Sequence, residues 1–427
     1  MIVSISVFIL LICFVANIPI ATSLMFSSLI YFVLAGDAPL VILAQRMIAA
    51  TEKIPLLAIP FFVTLGTLMS HSGISKRMMA FADSLTGHMP GGLAQVNVLL
   101  STLMGGLSAS SNADAAMDCK MLVPEMERYG YSKAFSVAVT AASAQITPII
   151  PPGIALIIYG FIANVSIAKM FIAGIIPGIM MCIGEMVMVN IISKKRGYLP
   201  HRQSRATFRE IWNEFKNAFW ALSLIIIVIG GIRMGIFTPT EAGGIAVIYT
   251  LIVSIFIYKD FKIVQLKNVL LESARATGTV MIIVMAAGGF AWIITWEGVA
   301  SVVTGIVTTI STNPVVYIAI INVFLLIVGM FLEGSTALIV LIPLLVPTAS
   351  ALGIDLVHFG IIIILNLAIG TLTPPMGTIL FLTCGLTGAK VDEVVRELIP
   401  FYAVLLSALL MISFIPKLVL FLPNLLK

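Results

Sequence analysis

The chain has 427 residues, of which 60% are hydrophobic and only 10% charged, and its mean hydropathy is +1.14. Soluble domains carry about 25% charged residues, so the composition excludes one. The net charge of +5 is no nucleic-acid signature, because the basic residues gather in one short stretch rather than covering a face.

In chain order, runs free of Asp, Glu, Lys and Arg recur at Met1–Gly36, Ala134–Ala168, Ala276–Trp296, Gly298–Leu332 and Gly334–Ile354. Each exceeds the ~20 apolar residues that a spanning helix needs. The longest must hold two passes, or a span plus a hairpin. These runs predict an all-α polytopic membrane protein. The first run has neither a basic leader nor an A-x-A cleavage site, so it reads as a retained first span. The four cysteines, Cys13, Cys119, Cys182 and Cys384, show no zinc or disulfide spacing and read as packing residues. The four histidines do not cluster.

Polarity then appears abruptly in "MGGLSASSNADAAMD", Met104 to Asp118, and a double proline follows in "QITPIIPPG", Gln145 to Gly153. Next comes the basic connector, with six Lys/Arg between Lys194 and Arg209. Short basic loops stay in the cytoplasm, so the connector is expected there. Inside it, "FREIWNEFKNAFW" sets Phe208, Ile211, Trp212, Phe215 and Phe219 at helical spacing with charges opposite. That pattern predicts an arm helix lying in the membrane interface. "FKIVQLKNVLLESARATG", Phe261 to Gly278, is its match in the second half.

The chain is written twice. Pro124 matches Pro347, Gly130 matches Gly353, Pro151 matches Pro374 and Pro152 matches Pro375, all 223 positions apart. The same offset carries Gly66 to Gly289 and Gly106 to Gly329, and "NIPIATS" resembles "FTPTEAG". A constant spacing of glycines and prolines argues duplication over chance. The expected layout is a first half at 1–193, a connector at 194–218 and a second half at 219–427.

Each half carries two breaks. "MGGLSASSNAD" pairs with "VGMFLEGSTAL" (Val328–Leu338), and "QITPIIPPG" pairs with "GTLTPPMG" (Gly370–Gly377). In a helix, Pro151 would free the carbonyl of Thr147 and Pro374 that of Gly370. An unpaired carbonyl in hydrocarbon must line a cavity, meet protein or coordinate something. Such oxygens suit a hard cation, and half-helix N-termini suit an anion. One break alone reads as a packing kink; four in two equivalent pairs point to a transporter site. Ser110, Ser111 or Asn112 can cap a helix. Asp118 is expected to cap or to pair with Lys120, and Asp114 stays open between structural and functional roles. Glu333, the one acid between Gly298 and Ile354, is a functional candidate. Glu185, Arg233 and Glu241 are expected near span ends.

At these residues the chain resembles a known family. "GGIRMGIFTPTEAGGIAVIY" (Gly230–Tyr249), "LLAIPFF" (Leu56–Phe62), the Gly/Ser element and "PIIPPG" together resemble the large membrane subunit of tripartite ATP-independent periplasmic (TRAP) transporters. The resemblance covers almost the whole chain. It implies two inverted repeats with broken helices and re-entrant hairpins, arranged as an elevator-type scaffold plus a transport domain. It further implies Na⁺ as coupling ion, organic-acid uptake, a small four-helix membrane subunit and a periplasmic substrate-binding protein as partners, and a bacterial inner-membrane location. Carried over, the first Na⁺ site is Gly105, Ser108, Thr147, Ile150 and Pro152, and the second is Gly329, Gly370, Thr373 and Met376. Ser110, Ser111, Asn112 and Glu333 are the substrate candidates. Family members often have Ser-Gly at Gly105-Gly106 and Gly at Thr147; backbone ligation survives both changes. The competing readings are a stand-alone cation/carboxylate symporter, a passive channel and an intramembrane hydrolase built on Asp114 or Ser108. The last lacks both H-E-x-x-H and a Gly-flanked motif.

Overall fold

In hydrocarbon the backbone has no solvent to bond, so a chain this apolar must satisfy its peptide groups within helices. The computed structural model describes residues 2–16, 18–36, 38–108 and 110–425, and all regular structure among them is helical. Eight helices or helix pairs among the described residues are long and apolar enough to cross a membrane.

The first half opens with the pair α1 (Ile2–Val15) and α2 (Ile20–Ala35). Ser6 Oγ donates to the Ser27 carbonyl at 2.8 Å, and Ser27 Oγ to the Ser6 carbonyl at 2.7 Å. Small hydroxyl residues here let the two backbones approach closely. Then follow α3 (Leu40–Thr51), α4 (Ala58–His71) and α5 (Ile74–Thr86). A hairpin comes next, α6 (Gly92–Ser108) and α7 (Ser111–Met121), extended by α8 (Val123–Arg128). A broken helix, α9 (Lys133–Ser143) and α10 (Ile154–Ile162), leads into α11 (Ile167–Arg196).

The second half repeats the plan with α12 (Phe208–Arg233), α13 (Pro239–Ile252), α14 (Leu266–Trp296) and α15 (Val299–Ile310). Its hairpin is α16 (Pro314–Phe331) and α17 (Gly334–Ala351), and its broken helix is α18 (Leu356–Gly370) and α19 (Thr378–Thr387). The chain ends in α20 (Val391–Phe414) and α21 (Pro416–Leu425). The sequence offset returns as geometry. Ser110 and Glu333 are the N-caps of α7 and α17, and Ser132 and Asp355 those of α9 and α18; each pair lies 223 positions apart.

Contacts fix how the halves are related. In each half the outer hairpin leg packs on the first half of its own broken helix, α6 on α9 and α16 on α18. The inner leg packs on the second half of the other broken helix, α7 on α19 and α17 on α10. Thus α9 and α19 share one level, and α10 and α18 share the other. The two broken helices therefore cross in opposite directions, which makes the repeats inverted. The basic connector joins the α9 level, where the Tyr131 hydroxyl donates to the Leu199 carbonyl at 3.3 Å. Against this hairpin core lies a scaffold in which α4 packs on α6, and α14 on α17.

Four expectations are revised. The amphipathic segment at 208–219 is not a separate interfacial helix; it forms the first turns of the continuous 26-residue α12. Its match at 261–278 likewise runs into the 31-residue α14, because no proline interrupts it. In the first half, Pro55 follows Glu52 and Lys53 and separates α3 from α4 at the corresponding place. Glu185 is not near a span end. It sits 11 residues before the end of the 30-residue α11, about 16 Å inside by helical rise, and is fully buried. Asp118 neither caps nor pairs with Lys120: it is fully buried, whereas Lys120 is exposed. Arg233 and Glu241 do fall at helix ends, and Glu241 completes a capping box with Thr238.

Backbone contact between hairpin and break depends on missing side chains. A Cβ added at Gly105 would lie 3.0 Å from the Thr147 Cα, and one added at Gly329 would lie 3.0 Å from the Gly370 Cα. A Cβ on Gly370 would come within 2.5 Å of the Gly329 Cα. Gly370→Ala is expected to cost about 1–3 kcal/mol through overpacking. A thermal melt in detergent checks this; an unchanged melting temperature would contradict the close contact.

Candidate substrate and cation sites

Both hairpin tips point into one cavity of about 770 Å³ between the hairpin core and scaffold helices α2, α4 and α14. Ser110, Ser111 and Asn112 line it from the first half and Glu333 from the second, so the structure brings the four substrate candidates together. Ser110 Oγ accepts from the Ala113 N–H at 3.4 Å, and Glu333 Oε2 accepts from the Thr336 N–H at 3.1 Å. These caps leave the N–H groups of Ser111 and Asn112, and of Gly334 and Ser335, without a backbone acceptor among the described residues. Two positive helix ends therefore open into the same space. The charged residues of the lining are Glu272 and Glu333, both acidic. An anion here would be held by helix ends and hydroxyls, with any positive charge supplied by co-bound cations.

Two lining residues were missed by the sequence reading, Gln145 and Thr371. The Thr371 hydroxyl lies 3.2 Å from Gln145 Oε1 and ties the two breaks together. Gln145 stood in the quoted break as the polar member of a charge-free run, which was the available signal. Only the fold shows that Thr371 faces it.

Ser108 lines this cavity, and the other cation candidates lie beside it, outside the lining. Gly105 and Ser108 end α6 against the first break, which holds Thr147, Ile150 and Pro152. Gly329 and Gly370 meet backbone to backbone at the second, which continues through Thr373 to Met376. No described backbone donor reaches the carbonyls of Thr147, Ile150 and Pro152, or those of Thr373 and Met376. The Gly370 carbonyl, by contrast, accepts from the Thr373 N–H at 2.9 Å. Unpaired carbonyls clustered at a helix break are the donor set a hard monovalent cation requires, so these residues fit one. The two breaks differ in enclosure: Thr147 and Pro152 are buried, whereas Met376 is 47% exposed. Glycines of α11 make room for the first break, since a Cβ at Gly174 would collide with the Ile149 carbonyl.

Asp114 belongs to the first break. Its carboxyl accepts from the Thr147 hydroxyl at 2.8 Å while its other oxygen has no partner among the described residues, and it is fully buried. It thus ties the inner hairpin leg to the proline break. No group of three or more His, Cys, Asp or Glu side chains suited to a metal occurs among the described residues.

Inverted hairpins and broken helices around a shared cavity define the class, a secondary-transporter fold. The chain matches the family model described as "Tripartite ATP-independent periplasmic transporter, DctM component" over residues 7–418, and it belongs to that family. It is 39% identical over 410 residues to the sialic acid TRAP transporter large permease protein SiaM of Vibrio cholerae, covering 96% of each chain. It is 40% identical to the 2,3-diketo-L-gulonate TRAP transporter large permease protein YiaN of Escherichia coli, over 88% of each. With the C4-dicarboxylate TRAP transporter large permease protein DctM of Pseudomonas aeruginosa it shares 36% identity, over 90% of this chain and 89% of that one. Among solved structures, the Alcanivorax borkumensis YdaH transporter superposes with a TM-score of 0.63 at 12% identity, covering 87% and 86% of the two chains. That likeness supports the fold alone.

Thr147→Val removes the hydroxyl that bonds Asp114 while keeping the backbone oxygen. It is expected to destabilise the fold by about 1–3 kcal/mol, the range for leaving a buried polar group without its partner. Equilibrium unfolding with ligand absent measures this directly; a change below about 0.5 kcal/mol would mean the contact carries no weight.

Proposed function

We propose that the chain is the large permease subunit of a binding-protein-dependent TRAP transporter that takes up an organic acid with a Na⁺ gradient. Family membership and the cavity with two converging helix ends are the observations that support it. The substrate carboxylate docks at the free N–H groups of α7 and α17, and Ser110, Ser111, Asn112 and Gln145 offer hydroxyl and amide partners. Because the described lining holds acids and no Lys or Arg, Na⁺ at the two breaks supplies the compensating charge. Gly105, Ser108, Thr147, Ile150 and Pro152 would hold one ion, and Gly329, Gly370, Thr373 and Met376 the other. Coupling follows, since the anion binds poorly until the cations beside it are in place.

Movement is of the elevator type, with the hairpin core sliding against the scaffold. With the basic connector in the cytoplasm under the positive-inside rule, the α9 level and the base of the first hairpin face that side of the inner membrane. Exposed apolar residues on the outer helices, such as Phe8, Leu11 and Val33, meet lipid or the small membrane subunit, and a periplasmic binding protein delivers the substrate. A stand-alone symporter of the same fold is the second reading; relatives named as TRAP permeases along nearly their full length favour the first.

Proteoliposomes containing the chain, its small subunit and the neighbouring binding protein test this. Uptake is expected to need an inward Na⁺ gradient and the binding protein together. Uptake without the binding protein would favour the stand-alone symporter, and uptake indifferent to Na⁺ would remove the cation assignment. Thr373→Trp is the cleaner probe of the second cation site, because Thr373 is only half-buried and Gly370 variants also disturb packing. Its Na⁺-dependent uptake should fall at least tenfold while the melting temperature stays within a few degrees of wild type.

A further inference from the structure

Asp118 lies outside both proposed sites and heads a line of buried polar groups joining α7, α6 and α9. Its Oδ2 is 2.9 Å from Ser101 Oγ, which is 3.0 Å from Ser143 Oγ. Ser143 Oγ is 3.1 Å from Asn97 Oδ1, Asn97 Nδ2 is 2.7 Å from Thr140 Oγ1, and Thr140 Oγ1 is 3.0 Å from the Ser136 carbonyl. Asn97, Ser101, Asp118, Ser136, Thr140 and Ser143 are all 0% exposed.

Each hydroxyl owns one proton, so the direction of the line can be worked out from its far end. Thr140 donates to the Ser136 carbonyl, one turn back in its own helix, and has no second proton. The short contact to Asn97 must then use the Asn97 amide N–H, which turns Oδ1 toward Ser143. That oxygen has no hydrogen, so Ser143 donates to it. Directing the Ser143 proton to the Thr140 carbonyl at 3.2 Å instead would leave Asn97 Oδ1 without that donor. With its proton on Asn97, Ser143 can only accept from Ser101, and the single Ser101 proton is used there. The remaining proton, between Ser101 and Asp118, has to come from Asp118.

We propose that Asp118 is a proton-binding site: its carboxyl is protonated and donates to Ser101 at the head of a one-way hydroxyl line. The surroundings agree. From its own helix Asp118 faces Asp114 and Cys119, with Lys120 turned outward. Helix α6 contributes no ionisable side chain, and α19 contributes Cys384. Helix α9 carries Lys133 at its far end, paired with Glu127, and α8 carries the Glu125–Arg128 pair. No ion-pair partner reaches Asp118 among these. Ionisation would put a lone charge in a dry interior beside a second carboxyl, and would force the line to reverse, leaving Asn97 Oδ1 without a donor. In the second half the line has no acid: Asn366 stands at the position of Ser143 and bonds Asn322, which bonds Ser413, and Leu341 stands at the position of Asp118. The proton is thus a feature of one repeat.

Infrared difference spectroscopy of wild type against Asp118→Asn in lipid at pH 7 tests the site without reference to transport. The expected result is a protonated carboxylic-acid carbonyl band present in wild type and missing in the variant. A carboxylate band in that difference would overturn the proposal. The second arm rests on the proposed transport activity and compares the pH dependence of uptake. Wild-type uptake should fall by up to about tenfold per pH unit on the alkaline side, and Asp118→Asn, which cannot ionise, should lose that limb. An identical alkaline limb in both proteins would overturn a role for this proton in transport. Wild-type uptake independent of Na⁺ would count against the cation assignment and leave the infrared result standing.

Discussion

The structure depends on one constraint, that a peptide group inside the membrane cannot be left to water. Every place where the helical ladder is interrupted must therefore supply a substitute partner. At the hairpin tips the substitutes are Ser110 and Glu333, which accept the N–H groups three residues on. At the proline breaks the substitutes are incomplete, and carbonyls of Thr147, Ile150, Pro152, Thr373 and Met376 are left without a described backbone donor. The same interruption that would destabilise an ordinary span creates acceptors for a cation and donors for an anion side by side.

Inversion makes this arrangement possible. Because α9 and α19 share a level opposite α10 and α18, the two breaks come together near the middle, and each hairpin covers the broken helix of both halves. Glycine contacts at Gly105–Thr147 and Gly329–Gly370 hold hairpin and break at backbone distance. The repeats then diverge in charge. The first half carries Asp114 and Asp118 inside the core, and the second has Ala337 and Leu341 at those positions. The second half instead places its acid, Glu333, at the tip facing the cavity.

Much of the fold was legible beforehand. Three of the charge-free runs, at 276–296, 298–332 and 334–354, fall on candidate spans, and the run at 298–332 resolved into α15 and α16 as its length required. The 223-residue offset located both hairpins and both breaks, because glycine and proline act on the backbone locally and leave the same mark in each copy. The amphipathic stretch at 208–219 misled, since helical periodicity describes a face and is blind to whether the helix continues past it. Only the absence of a proline before Arg233 hinted that α12 runs on. Glu185 and Asp118 were misplaced for a related reason. The nearness of Lys120 suggested a pair for Asp118 and a span end was expected for Glu185, whereas the turn of α7 points Asp118 at Ser101 and α11 is long enough to carry Glu185 deep inside.

The sequence by itself determined a membrane protein of duplicated halves, the positions of its four breaks and the residue types that line them. These follow from composition, spacing and the backbone chemistry of proline and glycine. Tertiary structure alone decided that Ser110 and Glu333 share one cavity, that Thr371 meets Gln145 and that the buried acids of α7 face hydroxyls of α6 and the first break. Those pairings join residues as many as 226 positions apart, and which of them meet is set by how two inverted halves pack.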